Sequence, residues 1–297
     1  MSIPMNYICY QCHLRRTVEL AATHADEQAL INLSKELMQL YLTFPENLSS
    51  PNLGPAAAVL LEKHAGLKPD RLRPEMDTSN TFVLTRLDNI RSRIQAAPDP
   101  VYAALQFAVL GNYLDFAALQ GQVSFDKLDE LLDNALEMEL DPDDYQAFCR
   151  ELTKAKTLLY LTDNAGEIVF DRLFAETLQN AFPQLEITFC VRGAPIHNDA
   201  TREDAAAAGI PFRVIDSGSN IGGTELSRLG DEASTAVKNA DVIIAKGMGN
   251  TETLAGCGLN VYYAFLIKCP HFVQYFGKPM MTPMFVGEHS IQKKRYL

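Results

Sequence analysis

The chain has 297 residues, of which 47% are hydrophobic and 21% are charged, a composition typical of a packed globular protein. Its net charge is −11, so it lacks the clustered Lys and Arg that nucleic-acid binding requires. No apolar run approaches the ~20 residues of a membrane helix, and we find no export signal. We therefore expect a cytoplasmic protein with reduced cysteines and without nucleic-acid or membrane partners; the oligomeric state stays open.

The first half of the chain has the pattern of helices. Apolar residues recur at near-helical spacing from Leu14 to Leu42, and a first helix is expected to open near Gln11. Further helical segments are predicted at 55–64, 78–96, 101–117, from Ser124 onward, and from Asp141 to Thr153. No convincing strand interrupts them. We expect a helical domain over residues 1–153.

The second half alternates short apolar runs with helical segments. The predicted strands are 157–161, 186–191, 212–215, 241–245 and 261–267, and the predicted helices are 167–181, 199–208 and 224–239. This alternation predicts a parallel sheet with helices on both faces. We expect an α/β fold in which the helical region packs on a Rossmann-like α/β/α domain over residues 154–297, with a mainly parallel sheet.

Ligands of open parallel sheets bind beyond the carboxyl ends of the strands, and three such loops carry polar residues. After the first strand come Asp163 and Asn164, then Gly166 and a helix that begins near Glu167, whose first amides can receive an anion. Asp199, after the second strand, is positioned to cap the next helix. The fourth strand leads into a further loop of this kind, Lys246-Gly247-Met248-Gly249-Asn250, which offers a cation and exposed amides suited to phosphate.

Hard oxygen ligands dominate these loops. Two carboxylates and one amide suit Mg²⁺ or Mn²⁺ and leave positions open for water and a phosphate oxygen. Such a site supports metal-assisted hydrolysis of a phosphoryl group. Each residue also has a structural interpretation, because Asp163-Asn164 is a common turn pair and Asp199 is an adequate helix cap without any metal.

The pair Cys9-Tyr10-Gln11-Cys12-His13 matches the attachment pattern of c-type haem. That interpretation requires export, and a structural zinc site requires a second CxxC or a His pair. We therefore interpret both thiols as packed at the start of the first helix, with a redox role left open.

The quoted motifs resemble the damage-control phosphatases, the family of domain of unknown function 89, in the prokaryotic branch that begins with a CxxC pair. The matching segments are Cys9-x-x-Cys12 with Arg15, Gly111-Asn112-Tyr113-Leu114-Asp115-Phe116, Thr162-Asp163-Asn164-Ala165-Gly166-Glu167, Gly193-Ala194-Pro195-Ile196-His197-Asn198-Asp199-Ala200-Thr201, Lys246-Gly247-Met248-Gly249-Asn250 with Glu252, and Lys268-Cys269. Their order spans nearly the whole chain. His197 departs from the apolar residue expected at its position.

The resemblance implies a divalent metal (Mn²⁺, Mg²⁺, Co²⁺ or Ni²⁺) held by Asp163, Asn164 and Asp199, with Lys246 on the phosphate. It also implies that the helical half contributes to the substrate site. The residues expected to bind substrate are Asn112, Asp115, Gly166, Glu167, Asn198, Lys246, Gly247 and Asn250. The family includes members that act on sugar phosphates and on phosphopantetheine or its oxidised forms.

The function expected from these observations is metal-dependent hydrolysis of phosphomonoesters of small metabolites, with Asp163, Asn164 and Lys246 as catalytic residues. We expect water to attack the phosphorus in line. The alternative is that Asp163 is a covalent nucleophile, but the chain lacks the Asp-x-Asp arrangement of aspartyl phosphatases at this position. A carboxyl methyltransferase that uses S-adenosylmethionine is a second candidate, weakened by the single glycine in the first loop. The third is a non-catalytic metal or thiol sensor built on Cys9 and Cys12.

Overall fold

The structure is a computed structural model that describes residues 2–115 and 123–294, with side chains to residue 292. The helices before the sheet are α1 (Tyr7–Ala22), α2 (Glu27–Thr43), α3 (Gly54–Ala65), α4 (Arg73–Leu84), α5 (Leu87–Ala96), α6 (Pro100–Gly111), α7 (Phe125–Asp133) and α8 (Pro142–Leu152). The helix predicted at 101–117 ends at Gly111, and residues 112–115 follow it as a turn and loop. Phe116 and the predicted helix end at 117 lie outside the described residues, as do the side chains of the basic tail from Lys293. No described helix is long and apolar enough to cross a bilayer.

The helical segment predicted from Leu14 to Leu42 is two helices. The break follows from Asp26, whose Oδ1 accepts a hydrogen bond from the backbone N–H of Ala29 at 2.8 Å and so caps α2. The segment predicted at 78–96 likewise divides between α4 and α5. Apolar periodicity continued across both breaks, which is why it did not reveal them.

The sheet has six strands in the order β3-β2-β1-β4-β5-β6, the order of a doubly wound fold. They are β1 (Thr157–Leu161), β2 (Glu186–Val191), β3 (Arg213–Asp216), β4 (Val242–Lys246), β5 (Val261–Leu266) and β6 (Pro283–Gly287). The helices are α9 (Glu167–Ala181), α10 (Arg202–Ala207), α11 (Asp231–Asn239), α12 (Gly247–Leu254), α13 (Pro270–Phe276) and α14 (Glu288–Lys294). The predicted α/β fold with a mainly parallel sheet is confirmed.

Several features of the second half differ from the prediction. The helices α12, α13 and α14 were not predicted, and α12 begins within the residues expected to form a loop after the fourth strand. β6 was not predicted; it pairs with β5 in antiparallel register, and it is short and bounded by Pro283 and Gly287. The helix predicted at 224–239 begins only at Asp231, after a short 3₁₀ turn at Leu226–Arg228.

The sheet is buried on both faces because alternate residues of each strand enter different cores. Leu158 and Tyr160 of β1 join one core, and Leu159 and Leu161 join the other. The first core also contains α6, which is buried along Ala103–Gly111. Residues before and after residue 153 both contribute to this core. The division of the chain into two domains stays a prediction. The buried α6 ends beside the carboxyl edge of the sheet and brings Asn112 there.

Candidate metal and phosphate site

Two loops that follow different strands are joined by backbone hydrogen bonds. The N–H of Ala200 donates to the carbonyl of Asp163 at 2.7 Å, and the N–H of Ala165 donates to the carbonyl of Asn198 at 2.9 Å. This short ladder brings Asp163 and Asp199 together at the carboxyl edge of the sheet. The prediction that Asp199 caps the next helix is wrong: Thr201 caps α10, in a capping box with Asp204.

Asp163 is buried among donors and other carboxylates. Its Oδ2 accepts from Nδ2 of Asn112 at 3.0 Å and from Nδ2 of Asn164 at 2.8 Å. Burial, followed by the nearby charges of Glu167 and Asp199, raises the pKa of Asp163 well above its ordinary value. The carboxylates at this edge therefore repel one another, and an added cation would relieve that repulsion.

Arg192, which follows β2 directly, lies between the two aspartates. Its Nε donates to Oδ2 of Asp199 at 2.6 Å, and its Nη1 donates to the carbonyl of Gly223 and to Oδ1 of Asn250. Its Nη2 is buried without a hydrogen-bond partner and lies 3.7 Å from Oδ1 of Asp163. One guanidinium thus lies beside two carboxylates. Burial nevertheless raises the pKa of Asp199. The sequence analysis did not predict that Arg192 pairs with these aspartates, although an arginine directly after a strand could have indicated it.

The amide of Asn164 is held in one orientation by carboxylates. Its Nδ2 donates to Oδ2 of Asp163 and to Oε2 of Glu167, each at 2.8 Å. Both nitrogen hydrogens are used in this way, whereas the carbonyl Oδ1 lies in the same amide plane on the other branch of the amide. Asn164 lines the cavity described below, and its role as a metal ligand stays a prediction.

Lys246 does not have the surroundings expected of a phosphate ligand. Its fully buried Nζ donates to the carbonyl of Ala108 at 2.6 Å and to Glu167 and Asp171 at 2.7 Å each. These three bonds use all the donors of an ammonium group. Burial raises the pKa of Asp171 to about 7, although Lys246 acts in the opposite direction. In this structure Lys246 holds Glu167, the residue that orients Asn164.

The helical half reaches the site through residues just after α6, as the resemblance implied. Nδ2 of Asn112 donates to Glu167 as well as to Asp163, and its backbone carbonyl accepts from Nζ of Lys268 at 2.7 Å. Lys268 also donates to Oδ2 of Asp115 at 2.7 Å. Lys268 was noted in a motif but not predicted as a site residue.

Two predicted glycines have positive φ for different reasons. Gly247 (φ 79°) lies against Asp163, and a Cβ there would overlap the carboxylate. Gly166 (φ 76°) packs against Ser79 and Leu114, and its N–H donates to Oδ1 of Asn80 at 2.7 Å. The amide of Gly166, expected to face phosphate, is thus bound to the helical half.

Asn198 and Asn250, both predicted to bind substrate, are buried and bonded to protein. Nδ2 of Asn198 donates to the carbonyl of Leu114 at 2.9 Å. Nδ2 of Asn250 donates to the carbonyls of Thr162 and Lys246. These bonds join the site loops to their neighbours, and contact with substrate stays a prediction for both residues.

A cavity of about 840 Å³ opens above these loops. Its floor includes Asp163, Asn164 and Asp199, and Met248 and Gly249 from the first turn of α12 line it as well. The helical half supplies α1, with Cys9 and Cys12, and the segment around Arg71. The volume is that of a small-molecule site.

The cysteines form no disulfide among the described residues. Burial raises the pKa of Cys9 to about 11. Within the described ranges no three His, Cys, Asp or Glu side chains are arranged to hold a metal, so the thiols do not complete a zinc site. The predicted ligand set contains only two such residues, Asp163 and Asp199, together with the amide of Asn164, and it stays a prediction.

A family model described as the damage-control phosphatase ARMT1-like domain matches residues 5–282. The chain belongs to this phosphatase family. The match includes every loop that forms the site, from α1 to β5.

Relatives of this chain cover almost its whole length. It is 30% identical to a damage-control phosphatase of Pyrococcus horikoshii over 277 residues, with 90% of this chain and 92% of the relative covered. It is 30% identical to an uncharacterized protein of Methanocaldococcus jannaschii over 288 residues, covering 93% of each chain. The crystal structure of a DUF89 family protein of P. horikoshii superposes with a TM-score of 0.79 at 25% identity, covering 96% of this chain and 99% of that one.

Proposed function

We propose that this phosphatase hydrolyses phosphomonoesters of small metabolites with the help of a divalent metal. The observation that carries the proposal is the floor of the cavity. Two carboxylates, from Asp163 and Asp199, and the amide of Asn164 lie there beside the amino terminus of α12. Such a floor offers hard oxygen donors for a cation and backbone donors for a phosphate group.

The donor set fits a divalent cation. Asp163 and Asp199 share Arg192, and the pKa of Asp163 is raised by burial and by its acidic neighbours, so additional positive charge is favoured there. Oxygen ligands suit Mg²⁺ or Mn²⁺, and the family resemblance adds Co²⁺ and Ni²⁺. When bound, the ion supplies positive charge that polarises the phosphoryl group.

Phosphate binding is assigned to the first turn of α12. The first amides of a helix lack intrahelical partners, and their dipoles favour an anion. Met248 and Gly249 place two such residues on the cavity wall. This assignment replaces the direct phosphate contact expected of Lys246, whose three donors are used within the protein.

Water is the proposed nucleophile. It forms a new bond to phosphorus as the bond to the leaving alcohol breaks. Oδ2 of Asp163 is bound by two amide groups, from Asn112 and Asn164, which suits a ligand held in place better than an attacking group. Glu167 is a positioning residue, because it orients the Asn164 amide without lining the cavity.

The test is phosphate release by the chelator-stripped protein, measured over a matrix of the four metals and a set of sugar phosphates and phosphopantetheine. Activity should return only with metal. Asp163→Asn and Asp199→Asn should each lower turnover by more than ~10³ and lower metal content, because a charged ligand is lost. Asp88→Asn, at a side chain 98% exposed, is the control. Metal-independent release, or full activity in either site variant, would refute the proposal; binding without turnover would favour the sensor function.

A further inference from the structure

The cavity has a second charged surface on its helical side. Arg16 of α1 and Arg71, just before α4, both line it, together with His13 and His197. Neither arginine belongs to the metal and phosphate site described above, and no motif considered so far uses them.

Neither arginine has a carboxylate within salt-bridge distance among the described residues. Arg15 pairs with Glu19 at 3.6 Å and Arg73 pairs with Asp204, whereas Arg16 and Arg71 form no ion pair within the described part of the chain. Nε of Arg71 is buried without a hydrogen-bond partner, and its Nη1 makes one long bond, 3.4 Å, to the carbonyl of Lys68. A buried donor without an acceptor costs free energy unless a ligand satisfies it.

The charge of this surface is positive at neutral pH and rests on the arginines. Burial lowers the pKa of His13 to about 4, and Arg16 acts in the same direction. His13 is therefore mainly neutral near pH 7, and both histidines add polar surface beside the arginine pair.

Acidic side chains of the cavity offset this charge only in part. Asp115 pairs with Lys268, Asp199 pairs with Arg192, Glu19 pairs with Arg15, and burial raises the pKa of Glu252 to about 8. Glu75 is the acid that acts on Arg71: burial lowers the pKa of Arg71 and the Glu75 carboxylate opposes that effect, but Glu75 is exposed to solvent and forms no salt bridge with the arginine. The guanidinium groups are thus available to an anion inside the cavity. Arg is well suited to this role because its planar fork matches carboxylate and phosphate.

We propose that Arg16 and Arg71 form a subsite for a second anionic group, a phosphate or a carboxylate, at the end of the substrate remote from the hydrolysed phosphate. The substrate class is then small phosphomonoesters that carry another anion. This inference rests on the proposed phosphatase function for its orientation of substrate, while anion binding by the arginines can be measured independently.

The experiment uses matched pairs that differ only in the second anion: glucose 1-phosphate against glucose 1,6-bisphosphate, and glycerol 3-phosphate against 3-phosphoglycerate. We expect the two-anion member of at least one pair to have a kcat/KM about 10-fold to 100-fold higher, mostly through KM. The first pair reports a phosphate subsite and the second a carboxylate subsite. Arg71→Gln and Arg16→Gln should remove the preference, and Arg71→Lys should restore part of it.

Arg213→Gln is the control, because Arg213 is 66% exposed, pairs with Glu232 and does not line the cavity. Calorimetric binding of the same pairs to the metal-free protein separates the two proposals. Tighter binding of the two-anion compound that depends on Arg71 supports the subsite, whether or not phosphate is released. A complete absence of phosphate release would refute only the phosphatase function. The subsite is overturned if Arg16→Gln and Arg71→Gln each change the binding and turnover of one-anion compounds as much as those of two-anion compounds.

Discussion

Replacing Lys246 by Met tests whether this buried lysine acts on substrate or on the protein. The side chains of Lys246, Glu167 and Asp171 are all 0% exposed, and both carboxylates lie 2.7 Å from Nζ. Met keeps the apolar stem but leaves two buried acids without their cation. Removing one partner of a buried ion pair typically costs ~3–5 kcal/mol.

That loss is large beside a total stability of ~5–15 kcal/mol, so the variant should fold but unfold at clearly lower urea concentration. Turnover should also fall, because Glu167 loses an anchor and the Asn164 amide loses its fixed orientation. We would measure the free energy of unfolding by urea titration, with metal content and phosphate release measured on the same preparations.

Two further variants sharpen the test. Lys238→Met, at an exposed lysine in the last turn of α11, should change stability by less than ~0.5 kcal/mol. Adding Asp171→Asn to Lys246→Met should recover part of the loss, because one uncompensated acid is removed. If Lys246→Met kept the stability of the parent and lost ~10²–10³ in turnover, the lysine would act on phosphate instead.

Three other changes have distinct expected outcomes. Gly247→Ala should lower metal affinity ~10-fold to 100-fold, because its Cβ would displace the Asp163 carboxylate. The double change Cys9→Ser, Cys12→Ser should preserve metal content and turnover, because the thiols are not ligands of the proposed metal, and it should cost some stability through lost packing. Relative to the parent, Glu252→Gln should become more stable by ~1–3 kcal/mol as pH rises from 5 to 9. The raised pKa of Glu252 means that the parent has its full stability below the unfolded pKa and loses part of it as pH rises through the folded pKa of about 8, whereas Gln does not ionise.

The controls for these changes come from the same chain. Gly258 also has a φ of 79°, but a Cβ there would meet nothing within 4 Å, so Gly258→Ala should strain the backbone without affecting the metal. Equal effects of Gly258→Ala and Gly247→Ala on metal affinity would contradict the steric argument. Loss of bound metal in the double cysteine variant would place the thiols in the metal site. A pH-independent effect of Glu252→Gln would mean that Glu252 ionises normally.

The sequence alone determined the alternation of strands and helices in the second half and the residues that follow each strand. β1 and β2 have the predicted bounds, because continuous apolar runs between polar turns identify strands buried on both faces. Parallel strands end at one edge of a sheet, and Asp163 and Asp199 could therefore be predicted to meet.

Only the tertiary structure decided what Lys246 and Arg192 do. The partners of Lys246, Glu167 and Asp171, lie 79 and 75 residues earlier, and its third acceptor is a backbone carbonyl of α6. A strand pattern shows where a side chain leaves the sheet, but not which acceptors helices from elsewhere in the chain bring to it. The same limit applies to Arg71, whose buried and unpartnered Nε depends on how the helical half packs over the sheet.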